Sequence, residues 1–192
     1  MEKQYLFNSG KVLRIFQDVE LASISNFIDE MDDWVPKWAS NYRKIKLVDD
    51  ETHQNILNEY FGVRKKDKGC IYIPIYLYIH SGMVVSLKPF ADEWDSYIGF
   101  IVRINKKEWC DKTGSKRCMM SQIMKEVEYE VKYLNAILSG EIFGYTIDGS
   151  EDAFDSCSGF WGDDAFKMMA DYVDDNEIAD FLKKYGISDF YK

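Results

Sequence analysis

The 192-residue sequence has little of what most cofactor and metal sites need. It has only two histidines, and its four cysteines form no closely spaced pair, so the ligand pairs of a zinc site are missing. It has no glycine-rich phosphate loop of the common kinds, which removes support for ordinary nucleotide chemistry. We therefore expect no metal and no cofactor, and we expect the cysteines to be reduced thiols.

Long apolar runs are also missing. The longest, at 71–79, is about half the length of a membrane-spanning helix. The first residues lack the basic and apolar regions of a signal peptide. We expect a soluble protein of the cytosol.

Positive charge is scarce, and its distribution is uneven. The chain has 33 acidic and 24 basic residues, a net charge of −9. Residues 1–140 carry 20 of each sign, whereas residues 141–192 carry 13 acidic and four basic residues. This excludes a generally basic nucleic-acid-binding protein, which needs positive charge to displace counterions from phosphates. It leaves room for a basic patch within the balanced part.

The apolar pattern predicts a mixed fold with a substantial core, since 46% of the residues are hydrophobic. Alternation and β-branched content predict strands at 11–16, 70–79, 83–87, 97–104, 141–147 and 154–160. Helical spacing predicts helices at 20–34, 51–61 and 121–138, with two short acidic helices between 163 and 185. Asp49 or Asp50 is expected to cap the second helix and Ser121 the third, which Gly140 is expected to end.

This order of elements predicts an α+β domain. We expect one antiparallel sheet of about 5–6 strands packed by the long helix, with short helices at the N- and C-terminal ends. The whole chain, 1–192, is expected to be a single domain. Its parts are a helical N-terminal part at 1–62, a sheet region at 63–162 and an acidic helical tail at 163–192.

Polar residues in the predicted loops suggest a catalytic site or an ion-binding site. Asp95 could orient His80 as a base for a nucleophile, which would be Ser81, Ser96 or Cys157. No nucleophile elbow surrounds any serine, and the alternative is that His80 and Asp95 fix loops by hydrogen bonds. Carboxylates at 92–95 and 148–155 could likewise gather around an ion, or could simply belong to solvated turns.

Two basic stretches, 64–68 and 103–117, are expected to be flexible loops that could hold phosphate by charge, or that are simply solvated. The candidate nucleic-acid contacts are Arg64, Lys65, Lys66, Lys68, Arg103, Lys106 and Lys107. The acidic tail has two interpretations as well. It is either a solubilising surface or a negative patch that competes with nucleic acid for a basic groove of another protein.

Three segments read as motifs: P-I-Y-L-Y-I-H-S-G at 74–82, W-D-S at 94–96 and D-S-C-S-G-F-W-G at 155–162. Together with the helix ending at 128–140, they resemble a widespread family from phage and mobile-element genomes. The resemblance covers about residues 70–164. That family in turn resembles the type II-A anti-CRISPR proteins, which inhibit the Cas9 nuclease.

The resemblance implies an anti-defence protein, and not an enzyme, that acts in the host cytoplasm. It would bind Cas9 or its guide-RNA complex by protein–protein contact. Candidate partner contacts are Tyr78, His80, Ser81, Trp94, Asp95, Ser96, Asp155, Ser156, Trp161, Asp163, Asp164, Asp171, Asp174 and Asp175. One alternative is a nucleic-acid-binding accessory protein of a mobile element. Another is a small hydrolase that uses His80, Asp95 and Ser96.

Overall fold

The structure, a computed structural model, describes residues 1–31, 35–42, 44–92, 94–149 and 155–192. The chain divides into two compact units. Unit 1 combines Met1–Ser23 with Ser139–Lys192, and unit 2 is Ile24–Leu138. The prediction of one domain stays a prediction, and each unit is described by itself.

Strands and helices alternate along much of the chain. In order they are β1 (Glu2–Leu6), β2 (Val12–Gln17), α1 (Ile24–Met31), β3 (Pro36–Ser40), α2 (Asp50–Tyr60), β4 (Cys70–Ile79), β5 (Met83–Ser86), β6 (Ser96–Asn105), α3 (Lys106–Thr113), α4 (Met120–Ser139), β7 (Ile142–Asp148), β8 (Asp155–Trp161), α5 (Ala165–Ala170), α6 (Asn176–Lys184) and α7 (Ile187–Phe190).

Unit 1 contains an antiparallel sheet in the order β1-β2-β7-β8. Side chains of β2 and β7 alternate between the core and the opposite face, as a strand requires. The core side packs against the C-terminal helices. This core includes Leu13, Ile15, Phe143, Tyr145, Phe166, Met169, Leu182 and Phe190.

Unit 2 contains a second antiparallel sheet in the order β3-β6-β4-β5. Pro74 lies in β4, although β4 is an inner strand. The Lys106 N–H donates to the Gly69 carbonyl at 2.9 Å, and this bond sets the alternation of ladder bonds between β4 and β6. The Pro74 nitrogen consequently faces away from β6, at a level that β5 does not reach, because β5 pairs only with Tyr76–Ile79. The proline therefore removes no ladder hydrogen bond.

Cap residues account for several helix ends, although Ser121, the predicted cap of α4, lies inside that helix, which begins at Met120. Asp49 caps α2 by accepting from the Thr52 N–H at 2.9 Å. Gly140, with a φ of 72°, ends α4. Asn105 caps α3, and Gly114 ends it with a φ of 65°. Basic residues at 106–113, predicted as part of a flexible loop, thus form a helix.

The predicted α+β class is confirmed, but the strands form two sheets of four instead of one sheet of 5–6. Strands β1 and β3 were not predicted, so the part at 1–62 is not mainly helical. Helix α1 spans Ile24–Met31, which is shorter than the predicted helix at 20–34. The predictions that involve Trp34, Glu93, Ser150, Glu151, Asp152 and Phe154 lie outside the described residues. Within the described ranges, no helix is long and apolar enough to cross a bilayer.

Candidate functional site

Two loops meet where β4 ends and β6 begins, in unit 2. The Ile79 N–H donates to the Asp95 carbonyl at 3.0 Å. Beside this bond, His80 Nδ1 lies 3.0 Å from Asp95 Oδ2. The structure therefore brings together the two residues that the sequence singled out as a base and its orienter.

Asp92 fixes the loop that precedes β6. Its Oδ1 accepts from the Trp94 N–H at 2.9 Å, and its carbonyl accepts from the Ser96 hydroxyl. Short polar side chains fold turns in this way. The loop is thus anchored on both sides of Trp94, whose side chain is 97% exposed. A tryptophan held out on an anchored loop is well suited to be a hot spot when a partner covers it.

The His80–Asp95 pair supplies two parts of a catalytic relay but lacks the third. The Ser96 hydroxyl donates to the Asp92 carbonyl and not to the imidazole. No hydroxyl or thiol is hydrogen-bonded to His80 among the residues that the structure describes. The Tyr78 ring stacks on His80, with 6.3 Å between ring centroids. These contacts favour a role for His80 and Asp95 in fixing the loop over a role in hydrolysis.

The basic stretches come together at the opposite end of the same strands. Cys70 at the start of β4 pairs with Asn105 at the end of β6. There the Lys106 ammonium donates to the Lys68 carbonyl at 2.9 Å, which joins the loop at 61–69 to the start of α3. Exposed Phe61 and Val63 belong to that loop. The result is a basic face with apolar side chains beside it.

Some of the predicted nucleic-acid contacts are engaged within the protein. Arg103 lies 3.6 Å from Glu59, and Arg64 donates to Asn55 at 2.7 Å. The Lys66 ammonium lies 4.6 Å from the centroid of the Tyr60 ring, in a cation–π contact. Among the described residues, Lys65, Lys68 and Lys107 are exposed and make no side-chain contact of this kind.

The acidic excess belongs to unit 1 alone. Unit 1 holds 16 acidic and seven basic residues, whereas unit 2 holds 17 of each. Several of the predicted partner contacts in unit 1 are engaged within that unit. Asp164 pairs with Lys167 at 2.7 Å, and Asp155 accepts from the Tyr145 hydroxyl at 3.3 Å.

Asp175 also has a structural role, since it caps α6 and pairs with Lys11 at 2.8 Å. Its hydrogen bond with Lys11 lowers the pKa of Asp175. In contrast, Asp163, Asp171 and Asp174 are exposed and pair with no cation among the described residues. These three carboxylates are thus outward negative charges that no described cation neutralises.

A groove of about 420 Å³ lies between β8 and α5. Its strand side consists of motif residues, including Cys157, Phe160 and Trp161. Its helix side includes Met168 and Tyr172, which are 40% and 65% exposed. Asp171 lines the same groove. The D-S-C-S-G-F-W-G motif thus forms one wall of a surface groove that combines apolar and acidic side chains.

One unusual residue was missed by the sequence analysis. Glu130 in α4 is fully buried, and its Oε2 accepts from the Trp38 indole N–H at 2.8 Å. Its Oε1 has no hydrogen-bond partner among the described residues. Burial raises the pKa of Glu130 to about 8, against the lowering effect of the Trp38 bond. The signal was available, because Glu130 is seven residues from both Ile123 and Ile137 and so shares their face of the helix.

No family model, no curated protein and no solved structure matches this chain. The resemblance to the phage family stays a prediction.

Proposed function

We propose that this protein is a non-catalytic anti-defence factor of a phage or mobile element, which inhibits a Cas9-type nuclease by protein–protein contact in the host cytoplasm. The observation that carries the proposal is the concentration of the whole net charge of −9 on one compact unit. The resemblance at residues 70–164 supplies the class of partner.

The charge distribution suits this partner. Cas9 holds its guide–target heteroduplex in a positively charged channel, which recognises backbone charge and not sequence. Exposed carboxylates can occupy such a surface and steer the encounter electrostatically. Asp163, Asp171 and Asp174 are available for this because they pair with no cation within the described ranges.

The Trp94 loop supplies a second contact. Buried aromatic anchors contribute much of the energy of protein interfaces, whereas charge contributes more to specificity and association rate. Trp94 is almost fully exposed, and Asp92 and Asp95 fix the backbone on which it stands. Fixing the loop in advance lowers the entropy lost on binding.

A cleavage assay with purified, guide-loaded Cas9 tests the proposal. The wild-type chain should inhibit cleavage, and the inhibition should weaken as salt increases. A variant with Asp163→Lys, Asp171→Lys and Asp174→Lys should lose inhibition by at least about tenfold. Inhibition of no Cas9 from a panel of type II-A enzymes would contradict the proposal.

A matched control separates local charge from net charge. Glu108, Asp111 and Glu128 are exposed acids of unit 2. Their triple replacement by lysine changes the net charge by the same amount, and it should leave inhibition near the wild-type level. Equal losses in both triple variants would show that net charge matters and that the acidic face of unit 1 does not.

The basic face favours a second candidate function, binding of nucleic acid by an accessory protein of a mobile element. The structure joins two basic stretches that are separate in the sequence. A mobility-shift assay with bare DNA and RNA tests it. Replacement of Lys65, Lys68 and Lys107 by glutamate should abolish binding, because these exposed side chains pair with no acid among the described residues and can contact phosphate. Replacement of Lys44, Lys88 and Lys125, also exposed, is the control.

A further inference from the structure

The outer edge of β8 presents backbone groups to solvent. The Asp18 N–H donates to the Ile142 carbonyl at 2.8 Å, so even-numbered residues of β7 bond toward β2. Odd-numbered residues of β7 therefore bond toward β8, where Tyr145 faces Cys157 and Ile147 faces Asp155.

The backbone groups of the β8 residues between these pairs point away from β7. Ser156 and Ser158 thus direct their N–H and C=O groups away from β7, and both residues are exposed. The Cys157 thiol lies 3.9 Å from the Ser158 carbonyl, a contact too weak to close the edge. A row of outward backbone groups is a template for another strand.

In unit 2, by contrast, a side chain covers part of one edge of the sheet. Val85 is one of the outward-facing residues in edge strand β5, and the Asn135 side chain bonds both its N–H and its C=O at 2.8 Å. No side chain of the described residues does the same for Ser156 or Ser158. The edge of β8 is instead flanked by the groove that Met168, Asp171 and Tyr172 line.

We propose that an extended segment of the partner protein, with an apolar and a basic residue two positions apart and therefore on the same face, adds to the outer edge of β8 as a fifth strand. This inference rests on the proposed function, because it names how the acidic unit contacts its partner. Backbone hydrogen bonds to Ser156 and Ser158 supply affinity, as in other cases of strand addition. Alternate side chains of the segment supply specificity.

The chemistry of the groove selects this occupant. One apolar side chain fits beside Met168 and Tyr172, which are exposed in its absence. A lysine or arginine of the segment lies toward Asp171, which has no cation partner among the described residues. The net charge of −9 on this unit disfavours an acidic segment.

A peptide titration tests the inference directly. The probe is a fluorescein-labelled octapeptide whose odd positions alternate between valine and lysine and whose even positions are threonine, so that valine and lysine share one face of the strand. Two comparison peptides are the same sequence with every second amide N-methylated and a version with glutamate in place of lysine. We expect saturable binding of the first peptide and at least tenfold weaker binding of the other two. Binding of the N-methylated peptide as tight as that of its parent would overturn strand addition, as would no binding of the parent.

A proline substitution tests the edge in the protein. Ser156→Pro removes one outward N–H without removing a ladder bond to β7. Gln4→Pro is the matched control, since Gln4 occupies the equivalent outward position in β1, the other edge strand of this sheet. We expect at least tenfold loss of peptide binding for Ser156→Pro and none for Gln4→Pro, with both proteins folded by circular dichroism. If Ser156→Pro does not fold, the N-methylated peptide decides the question.

The nuclease assay separates this inference from the proposed function. If the wild-type chain inhibits Cas9 and Ser156→Pro inhibits equally well, strand addition is wrong and the proposed function stands. If the wild-type chain inhibits no nuclease but binds the lysine–valine peptide through β8, the proposed function is wrong and the edge site stands.

Discussion

The side-chain amide of Asn135 in α4 makes two hydrogen bonds, each 2.8 Å long, with the backbone N–H and C=O of Val85 in β5. An amide side chain has the same donor and acceptor as a peptide group, so it takes the place of a neighbouring strand. It therefore ties the long helix to the sheet and also blocks the edge to other chains.

Asn135→Ala should destabilise unit 2 by about 1–3 kcal/mol, because it leaves a donor and an acceptor of Val85 without their partners. Chemical denaturation measures the loss. The exposed edge should also make the variant self-associate at high concentration, which analytical ultracentrifugation detects. Gln122→Ala, an exposed change in the same helix, should alter neither property. Wild-type stability in Asn135→Ala would show that the two bonds contribute nothing net.

Gly99 should not tolerate any side chain. It is the extra residue of the bulge in β6, and a Cβ there would lie 2.3 Å from the Leu77 Cβ. Gly99→Ala should therefore cost about 1–3 kcal/mol or more in free energy of unfolding. Gly82→Ala is the control, because nothing lies within 4 Å of a Cβ at that position.

The reason for the loss can be tested by a second substitution. Leu77→Gly removes the opposing Cβ, so the cost of Gly99→Ala should be much smaller in the Leu77→Gly background. Equal costs in both backgrounds would mean that the crowding at Leu77 is not the cause.

Local sequence predicted those elements whose signals are local. Strand β4 was predicted at its observed bounds, because its β-branched and aromatic residues favour a strand wherever it lies. The Asp49 cap and Gly140 marked helix ends through their own backbone chemistry. Strand β3 escaped prediction because Pro36, Lys37 and Trp38 lack alternation, and pairing with β6 makes them a strand. Nothing in the periodicity states which strands pair, so the division into two sheets was not predictable.

The candidate site was likewise only partly predictable from local sequence. His80 and Asp95 were identified as site residues from their types and positions in loops, but their contact depends on the register of β4 and β6. The same register brings the two basic stretches together at the opposite end of β4 and β6. The sequence alone places Glu130 on the apolar face of α4. A single acidic residue within a regular apolar stripe of a helix indicates a buried carboxyl group.

Glu130 should make unit 2 less stable as the pH rises. The carboxyl ionises near pH 4.5 in the unfolded chain but only near pH 8 in the folded protein, since burial disfavours its charged form. Between these values the folded state holds one more proton, so stability falls with rising pH. The total effect is of the order of 5 kcal/mol, because each pKa unit corresponds to about 1.4 kcal/mol.

Glu130→Gln removes this titration and keeps the acceptor for the Trp38 indole. Urea unfolding at several pH values between 4 and 9 should show a flatter profile for the variant, with its largest relative gain above pH 8. Glu128→Gln, an exposed change nearby, should keep the wild-type slope. Parallel profiles for Glu130→Gln and wild type would mean that Glu130 titrates as an ordinary exposed acid.

Trp94→Ala should separate binding from stability. The side chain is 97% exposed, so its removal should change the free energy of unfolding by no more than about 0.5 kcal/mol. If the loop contacts the nuclease, inhibition should weaken by about tenfold or more, as expected for loss of an aromatic anchor. Denaturation and the Cas9 cleavage assay measure the two effects on the same preparation.

The loop geometry gives this experiment its controls. Asp95→Asn weakens the contact with His80, so it should reduce inhibition less than Trp94→Ala does, by loosening the loop alone. Phe61→Ala removes another exposed aromatic side chain of unit 2, at the opposite end of β4 and β6, and should leave inhibition unchanged. Full inhibition by Trp94→Ala would show that this loop is not part of the interface with the nuclease. The acidic unit 1 would then remain as the proposed binding surface.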